Sequence, residues 1–340
     1  MSRHGSSRRS MTLRALAFLL ALALIAGVGY FVGERLEKES VQEERAVMSE
    51  GFGRYEEKIS AGKTYYKKTG LTTLLFMGVD RDITKESKGI SYRSGGQADF
   101  LLLMVIDHDS KVIRQLQIER DTMARVDVLT ILGAYGGSKI MQICLSHGFG
   151  KDQTACCENA VTAVSRYLDS TPIDLYMAVD YSAVDKINEM LGGVTVTLQD
   201  DFSELDPEMT LGKTMRLVGH QAELFVRSRM TIGDGTNASR QLRQRAWMNG
   251  AIDLMRQKVK NDPNYFETFV ETLGDQMTTN IVEGRLINEF NRAWQYQIVP
   301  VEQIPGEYTI GEDGFVEYHT DPEAVIAWIV DAMYRPAEES

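Results

Sequence analysis

Histidine and cysteine are scarce in this 340-residue chain, five and three respectively, and the scarcity removes several kinds of chemistry at once. A structural zinc centre draws four ligands largely from these two types, and His147 alone lies near Cys144, Cys156 and Cys157 in the sequence. No serine or cysteine nucleophile is marked by a motif with a histidine partner: His4 precedes an apolar run, and His108, His220 and His319 stand apart. Net positive charge is missing as well. At a formal charge of -11 the chain lacks the basic face that nucleic acid requires, so nucleic acid is not an expected partner. Residues 70–336 hold no Pro/Gly/Ser-rich linker and no repeat of fixed period, and are read as one large domain.

What is present begins with residues 15–32, which carry no charge and are rich in leucine and alanine. The run exceeds the roughly 7–15 residues of a signal-peptide core, and with its flanks it suffices to span a bilayer. It is read as an uncleaved transmembrane helix over 13–33; a cleaved signal peptide is the alternative. Arg3, Arg8, Arg9 and Arg14 precede it, while Glu34, Glu37 and Glu39 follow. That asymmetry puts residues 1–12 in the cytoplasm and the remainder outside, making this a single-pass protein of the cell membrane. Residues 34–69 read as a charged, partly helical stalk.

The domain itself alternates its patterns. Short continuous apolar runs at 74–79 and 100–106 predict strands buried on both faces, and 112–119 alternates as a strand does. Helical periodicity follows at 155–169, 181–191, 219–228 and 239–258, with strands at 175–179 and 194–198 between. Further helices are expected at 266–277 and 282–294, an extended piece at 297–299, a hairpin turn at Gly311-Glu312-Asp313-Gly314, and a closing helix at 322–333. This is the α/β class: a central mixed β-sheet flanked by helices in layers.

Within the acidic background, Arg227, Arg229, Arg240, Arg243, Gln244 and Arg245 crowd into one short stretch. Such a local cluster suits one bound anion, phosphate above all, because the guanidinium fork offers paired donors at any physiological pH. A solvated helix face with intrahelical ion pairs is the alternative. Arg240, Arg243 and Gln244 share a helix face by their spacing. Asp80 and Arg120-Asp121-Thr122 each follow a predicted strand, and Asp99 starts one, so three carboxylates and an arginine can converge at a sheet edge. Carboxylate oxygens beside phosphate are the usual holders of magnesium. If the domain lies in an oxidising exterior, Cys144 can form a disulfide with Cys157 or Cys156.

Taken in order, Gly78-Val79-Asp80, Asp99, Glu119-Arg120-Asp121-Thr122, Ile173-Asp174-Leu175-Tyr176, Leu191-Gly192-Gly193-Val194, Val226-Arg227-Ser228-Arg229, Asp234 and the run from Arg240 to Gln244 resemble the LytR-CpsA-Psr family of cell-envelope phosphotransferases. The likeness covers residues 72–256 and implies a catalytic domain over 70–336. It implies transfer of a glycan polymer from undecaprenyl pyrophosphate, as a glycosyl phosphate, to a peptidoglycan sugar hydroxyl, with membrane lipid as a further partner. By the same resemblance Asp80 and Asp99 bind Mg2+, while Arg120, Arg227, Arg229, Arg240, Arg243 and Gln244 bind the pyrophosphate. Arg120, Arg227 and Arg229 are then also catalytic, and Asp121 and Asp234 orient an arginine or accept a proton. The chain departs from the common pattern at Gln97-Ala98-Asp99-Phe100, where many members carry Arg-Ser-Asp-Thr, and no role is assigned to Lys139 or Gln142. Hydrolysis of the lipid pyrophosphate is the alternative activity, and a non-enzymatic binder of lipid-linked glycan or regulator is the third reading. Residues 1–12 are too few for a DNA-reading domain.

Overall fold

The computed structural model describes residues 57–60, 63–80, 95–130, 132–228, 232–262, 264–273, 276–281 and 296–337. The expected tail 1–12, membrane helix 13–33, most of the stalk, Arg229 and the helix expected at 282–294 lie outside them. Among the described residues no helix is long and apolar enough to cross a membrane.

The stretch expected to end the stalk is a hairpin instead. Strands β1 (Glu57–Ser60) and β2 (Lys63–Lys67) pair antiparallel, and the closing strand β15 (Tyr334–Pro336) adds to the free edge of β2. The folded unit therefore begins before residue 70. Its partner is at the far end of the chain, so no local periodicity announces it.

The centre is a six-stranded mixed sheet. Its strands are β3 (Leu71–Asp80), β4 (Gln97–Asp107), β5 (Val112–Ile118), β8 (Leu175–Asp180), β11 (Met277–Thr279) and β12 (Gln297–Ile298), in the order β11-β8-β3-β4-β5-β12. The β3–β8 and β5–β12 pairs are parallel and the others antiparallel. Met277 opens β11, so the helix expected over 266–277 stops earlier. A second hairpin, β6 (Met123–Leu129) with β7 (Tyr135–Gln142), follows β5, and two short pairs, β9 (Thr195–Thr197) with β10 (Thr214–Arg216) and β13 (Gly306–Ile310) with β14 (Val316–Thr320), complete the strands.

Helices cover both faces, as the continuous apolar character of β3 and β4 requires. On one side Leu74, Leu102 and Met104 pack with α2 (Ala183–Leu191), α3 (Gln221–Arg227), α4 (Asn237–Asn261) and α5 (Tyr265–Leu273). On the other, Leu75, Leu101 and Leu103 pack with α1 (Gln153–Tyr167) and α6 (Pro322–Met333). Local signals set the helix ends: Asp152 and Asp321 accept backbone N–H bonds at the starts of α1 and α6, and Gly192, left-handed at φ 91°, closes α2.

One irregularity positions the site. Gly78 pairs with Phe100 but Val79 pairs with Ala98, which leaves Asp99 as an extra residue in β4. This β-bulge shifts the alternation, so Ala98 packs with Leu101 on the α1 side and Phe100 with Leu102 on the α4 side. Asp99 is thereby re-aimed toward α4.

Candidate functional site

Where the parallel strands β3 and β8 end, their C-terminal residues meet the start of β4 and the first turns of α4. Open α/β sheets place ligands at such strand ends. Asp80 is the last residue of β3, and Tyr181 continues β8 with its N–H bonded to the Val79 carbonyl at 3.0 Å. Helix α4 enters N-terminus first, capped by the Thr236 hydroxyl, with Asn237, Arg240, Gln241, Arg243 and Gln244 all buried. Its later turns bury Trp247, Met248, Ala251, Ile252 and Met255 in the core. The apolar stripe anchors the helix and so delivers its polar end to the sheet edge.

Asp99 is the centre of the arrangement. Its Oδ2 accepts from Arg240 Nη1 at 2.8 Å, and its Oδ1 lies 3.0 Å from Arg120 Nη1. Arg120 is held on its other sides by Gln97 Oε1 (2.7 Å), Cys144 Sγ (3.2 Å) and Asp121 Oδ1 (3.3 Å). Burial alone would lower the Arg120 pKa, but Cys144, Asp99 and Asp121 outweigh it and hold the group above its usual value. Arg227, at the end of α3, gives one nitrogen to Asp80 and another to Glu223, each at 2.7 Å. Gln244 donates to the Tyr181 hydroxyl at 2.8 Å. Burial raises the Tyr181 pKa, and Arg240, Asp99, Asp80 and Arg120 all act on this one hydroxyl. The two expected halves thus meet: aspartates from the sheet pair with arginines from α3, α4 and the end of β5, and Gln244 joins Tyr181 to them.

Two atoms of this group, Arg240 Nε and Gln244 Oε1, are buried with neither a hydrogen bond nor an ion-pair partner. An unpaired buried donor is costly, and a bound anion would give Arg240 Nε its acceptor. Asp80 and Asp99 are carboxylates, the donor type magnesium takes, and each is engaged by arginine here. Among the described residues, one cluster of three metal-ligating side chains has converging atoms: Asp185, His220 and Glu223, within 4.8 Å of one another.

Three expectations come out differently. Arg243 does not join the arginine group: its nitrogens go to the Phe225 carbonyl (3.0 Å), Asp200 (2.5 Å), Ser239 Oγ (2.9 Å) and the Ser228 carbonyl, so it braces α3 against α4. Asp234 is turned back on Thr236, accepting from its N–H at 2.9 Å and its hydroxyl at 2.7 Å, which forms the turn that starts α4. Arg243 and Asp234 instead line a separate cavity of about 440 Å3 with Asp200 and Leu242. Cys144 is not bridged to Cys157 or Cys156. All three are buried thiols, because Cys144 Sγ is turned to Arg120 and Cys157 Sγ faces His147 Nε2 at 3.5 Å. Burial pushes the Cys144 thiol up to about 12.

No motif marks Tyr181 or Asn237 as part of the site, nor the hold of Cys144 and Gln97 on Arg120. Tyr181 carried one usable signal, its place directly after a buried strand.

The profile of the LytR_cpsA_psr family matches residues 34–327. The chain is 26% identical over 321 residues to a Bacillus subtilis (strain 168) protein named polyisoprenyl-teichoic acid–peptidoglycan teichoic acid transferase TagV, a match covering 91% of this chain and 74% of that one. A Bacillus cereus (strain AH820) protein named as the TagU transferase of the same kind is 28% identical over 157 residues, 46% of either chain. Among solved structures, B. subtilis TagV superposes with a TM-score of 0.55 at 24% identity, covering 77% of this chain and 96% of that one. TagT bound to LI-WTA gives 0.57 at 19% identity, covering 77% and 89%. These superpositions establish the mixed α/β fold.

Proposed function

This chain belongs to the LytR-CpsA-Psr family, and from that premise we propose that it is a membrane-anchored phosphotransferase. It moves a glycopolymer from undecaprenyl pyrophosphate, as a glycosyl phosphate, to a peptidoglycan sugar hydroxyl outside the cell. Relatives named as teichoic acid–peptidoglycan transferases support the reaction class. The observation that carries the reading is Asp99 held between Arg120 and Arg240 at the strand ends, beside Gln244 and Tyr181, with Arg240 Nε left without an acceptor. Guanidinium groups with spare N–H donors suit pyrophosphate oxygens better than any neutral ligand.

In this reading the acceptor hydroxyl oxygen attacks the phosphorus next to the sugar. The bond from that phosphorus to the bridging oxygen breaks, and undecaprenyl phosphate leaves with the electron pair. Arg120, Arg227 and Arg240 meet the negative charge as it gathers, and Arg229 is assigned to the same anion. Asp80 and Asp99 would hold magnesium, which neutralises phosphate charge when bound. Of the remaining carboxylates, Asp121 touches Arg120 and so adjoins the reacting group, whereas Asp234 stands in its own turn. Asp121 is assigned the acceptor's proton.

The test uses the full-length chain in lipid vesicles with a short undecaprenyl-pyrophosphate-linked glycan, with and without peptidoglycan and Mg2+. Glycan joined through phosphate to peptidoglycan, dependent on the ion, is the expected product. Release of glycan phosphate without acceptor would identify a hydrolase, and binding without either product a carrier.

A further inference from the structure

Behind Arg240 lies a buried polar chain that touches neither of the aspartates assigned to magnesium. Glu119, just past the end of β5, accepts from Asn237 Nδ2 and from Gln241 Nε2 at 2.6 Å. Asn237 Oδ1 in turn accepts from Arg240 Nη2 at 2.6 Å, and Gln303 Nε2 donates to Gln241 Oε1 at 2.7 Å. Glu119, Asn237, Arg240 and Gln241 are all buried. Each amide in this chain points its NH2 group toward the carboxylate.

The direction has a physical cause. An ionised carboxylate only accepts and a guanidinium only donates, so an asparagine between them has one orientation in which both its ends are satisfied. A reversed amide would set NH2 against guanidinium and its oxygen against the carboxylate. We propose that Glu119, acting through Asn237, is a positioning residue for Arg240: the one-way amide relay fixes the guanidinium that faces Asp99 and the donor pyrophosphate. The naming of pyrophosphate rests on the function proposed above; the relay itself can be tested with no ligand present.

The relay predicts which replacements break it and which restore it. Asn237→Ala removes the acceptor of Arg240 Nη2. The double change Glu119→Gln with Asn237→Asp rebuilds the chain with its charge moved one residue along. The new glutamine donates its NH2 to the new aspartate and keeps its oxygen for Gln241, while the aspartate accepts from Arg240. Two measurements on the full-length protein decide the matter. In the ligand-free protein, 15N NMR of the Arg240 guanidinium should show slow rotation about Cζ–Nε in the parent and the double variant, and fast rotation in Asn237→Ala. Calorimetric titration with inorganic pyrophosphate should show binding weakened about tenfold or more in Asn237→Ala and restored in the double variant. Equal rotation rates in parent and Asn237→Ala, parental affinity in Asn237→Ala, or a double variant as weak as Asn237→Ala would each overturn the relay. If the parent fails to bind pyrophosphate while its Arg240 rotation still responds to these changes, the functional reading fails and the relay stands.

Discussion

Asp80 with Arg227 and Asp99 with Arg240 are the same chemical pair in two different solvents. The first has side-chain exposures of 35% and 45%, the second 5% and 4%. Water screens the first, so Asp80→Ala or Arg227→Ala should change stability by less than about 1 kcal/mol. Removing Asp99 or Arg240 strands a buried charge and should cost about 3–5 kcal/mol. Urea unfolding of the four alanine variants checks this, and equal losses would sink it. The activity consequence differs too: Arg227→Ala should stay folded yet lose donor affinity, and Arg227→Lys should not recover it, since an ammonium cannot make a two-pronged contact. Loss of activity in Asp99→Ala would be ambiguous without the unfolding data. Away from the site, burial lowers the pKa of His108 to about 4 against an opposing pull from Asp107, and its Nε2 pairs with Thr72 Oγ1 at 2.9 Å. The folded state then binds fewer protons than the unfolded chain between about pH 4 and the ordinary histidine value of 6.5. This contribution to stability is complete above that window and falls away as the pH drops through it, by about 3 kcal/mol in total. His108→Gln should flatten the acid limb of the stability curve, and an unchanged limb would remove the assignment.

At the scale of elements, the bulge in β4 explains what the sequence could and could not reveal. Residue types at strand ends and helix spacing made Asp80, Asp99, Arg120, Arg227, Arg240 and Gln244 legible, because each stands next to a periodic segment. Side-chain direction was not legible, since it depends on a register shift at Gly78 and Val79 that involves no unusual residue. Arg243 shows the same limit: spacing puts it on the face of Arg240, but α3 packs closely enough to capture it. Helices with strong local signals agree, as in α6 over Pro322–Met333, where the expected range is met in full. The β6–β7 hairpin escaped because Gly136 and Gly137 interrupt the alternation of β7, whose strand character comes from pairing with β6. Close packing between elements yields a further test at Gly250 in α4. A Cβ there would stand 2.5 Å from Val194 Cγ1, and valine is stiff about χ1. Alanine gains about 1 kcal/mol in helix propensity, while overpacking costs about 1–3 kcal/mol. Gly250→Ala should therefore destabilise slightly, and Val194→Ala in the same chain should relieve it; a raised urea midpoint for Gly250→Ala alone would refute the close contact.

For the whole molecule, the decisive connection is the pairing of β15 with β2, in which Tyr334, Arg335 and Pro336 face Lys67, Tyr66 and Tyr65. The backbone bonds Ala337 N–H to Thr64 O at 3.0 Å and Lys68 N–H to Met333 O at 2.9 Å extend the clasp at both ends. Cutting the chain after Met333 should lower Tm by several degrees and leave the central sheet intact, as read by differential scanning calorimetry and hydrogen exchange at β3 and β4. An unchanged Tm would mean that the clasp contributes nothing. The arrangement also imposes a schedule on the chain as it is made. β2 emerges well before its partner, so at roughly 5–20 residues per second the edge stays open for on the order of ten seconds or more. An open edge recruits other strands, and β2 carries Tyr65 and Tyr66, which favour such pairing. Lys63 and Lys67 bracket that pair, and their charges repel a second copy of the same strand during the wait. Replacing both lysines by threonine would leave the finished fold almost untouched and endanger the nascent one.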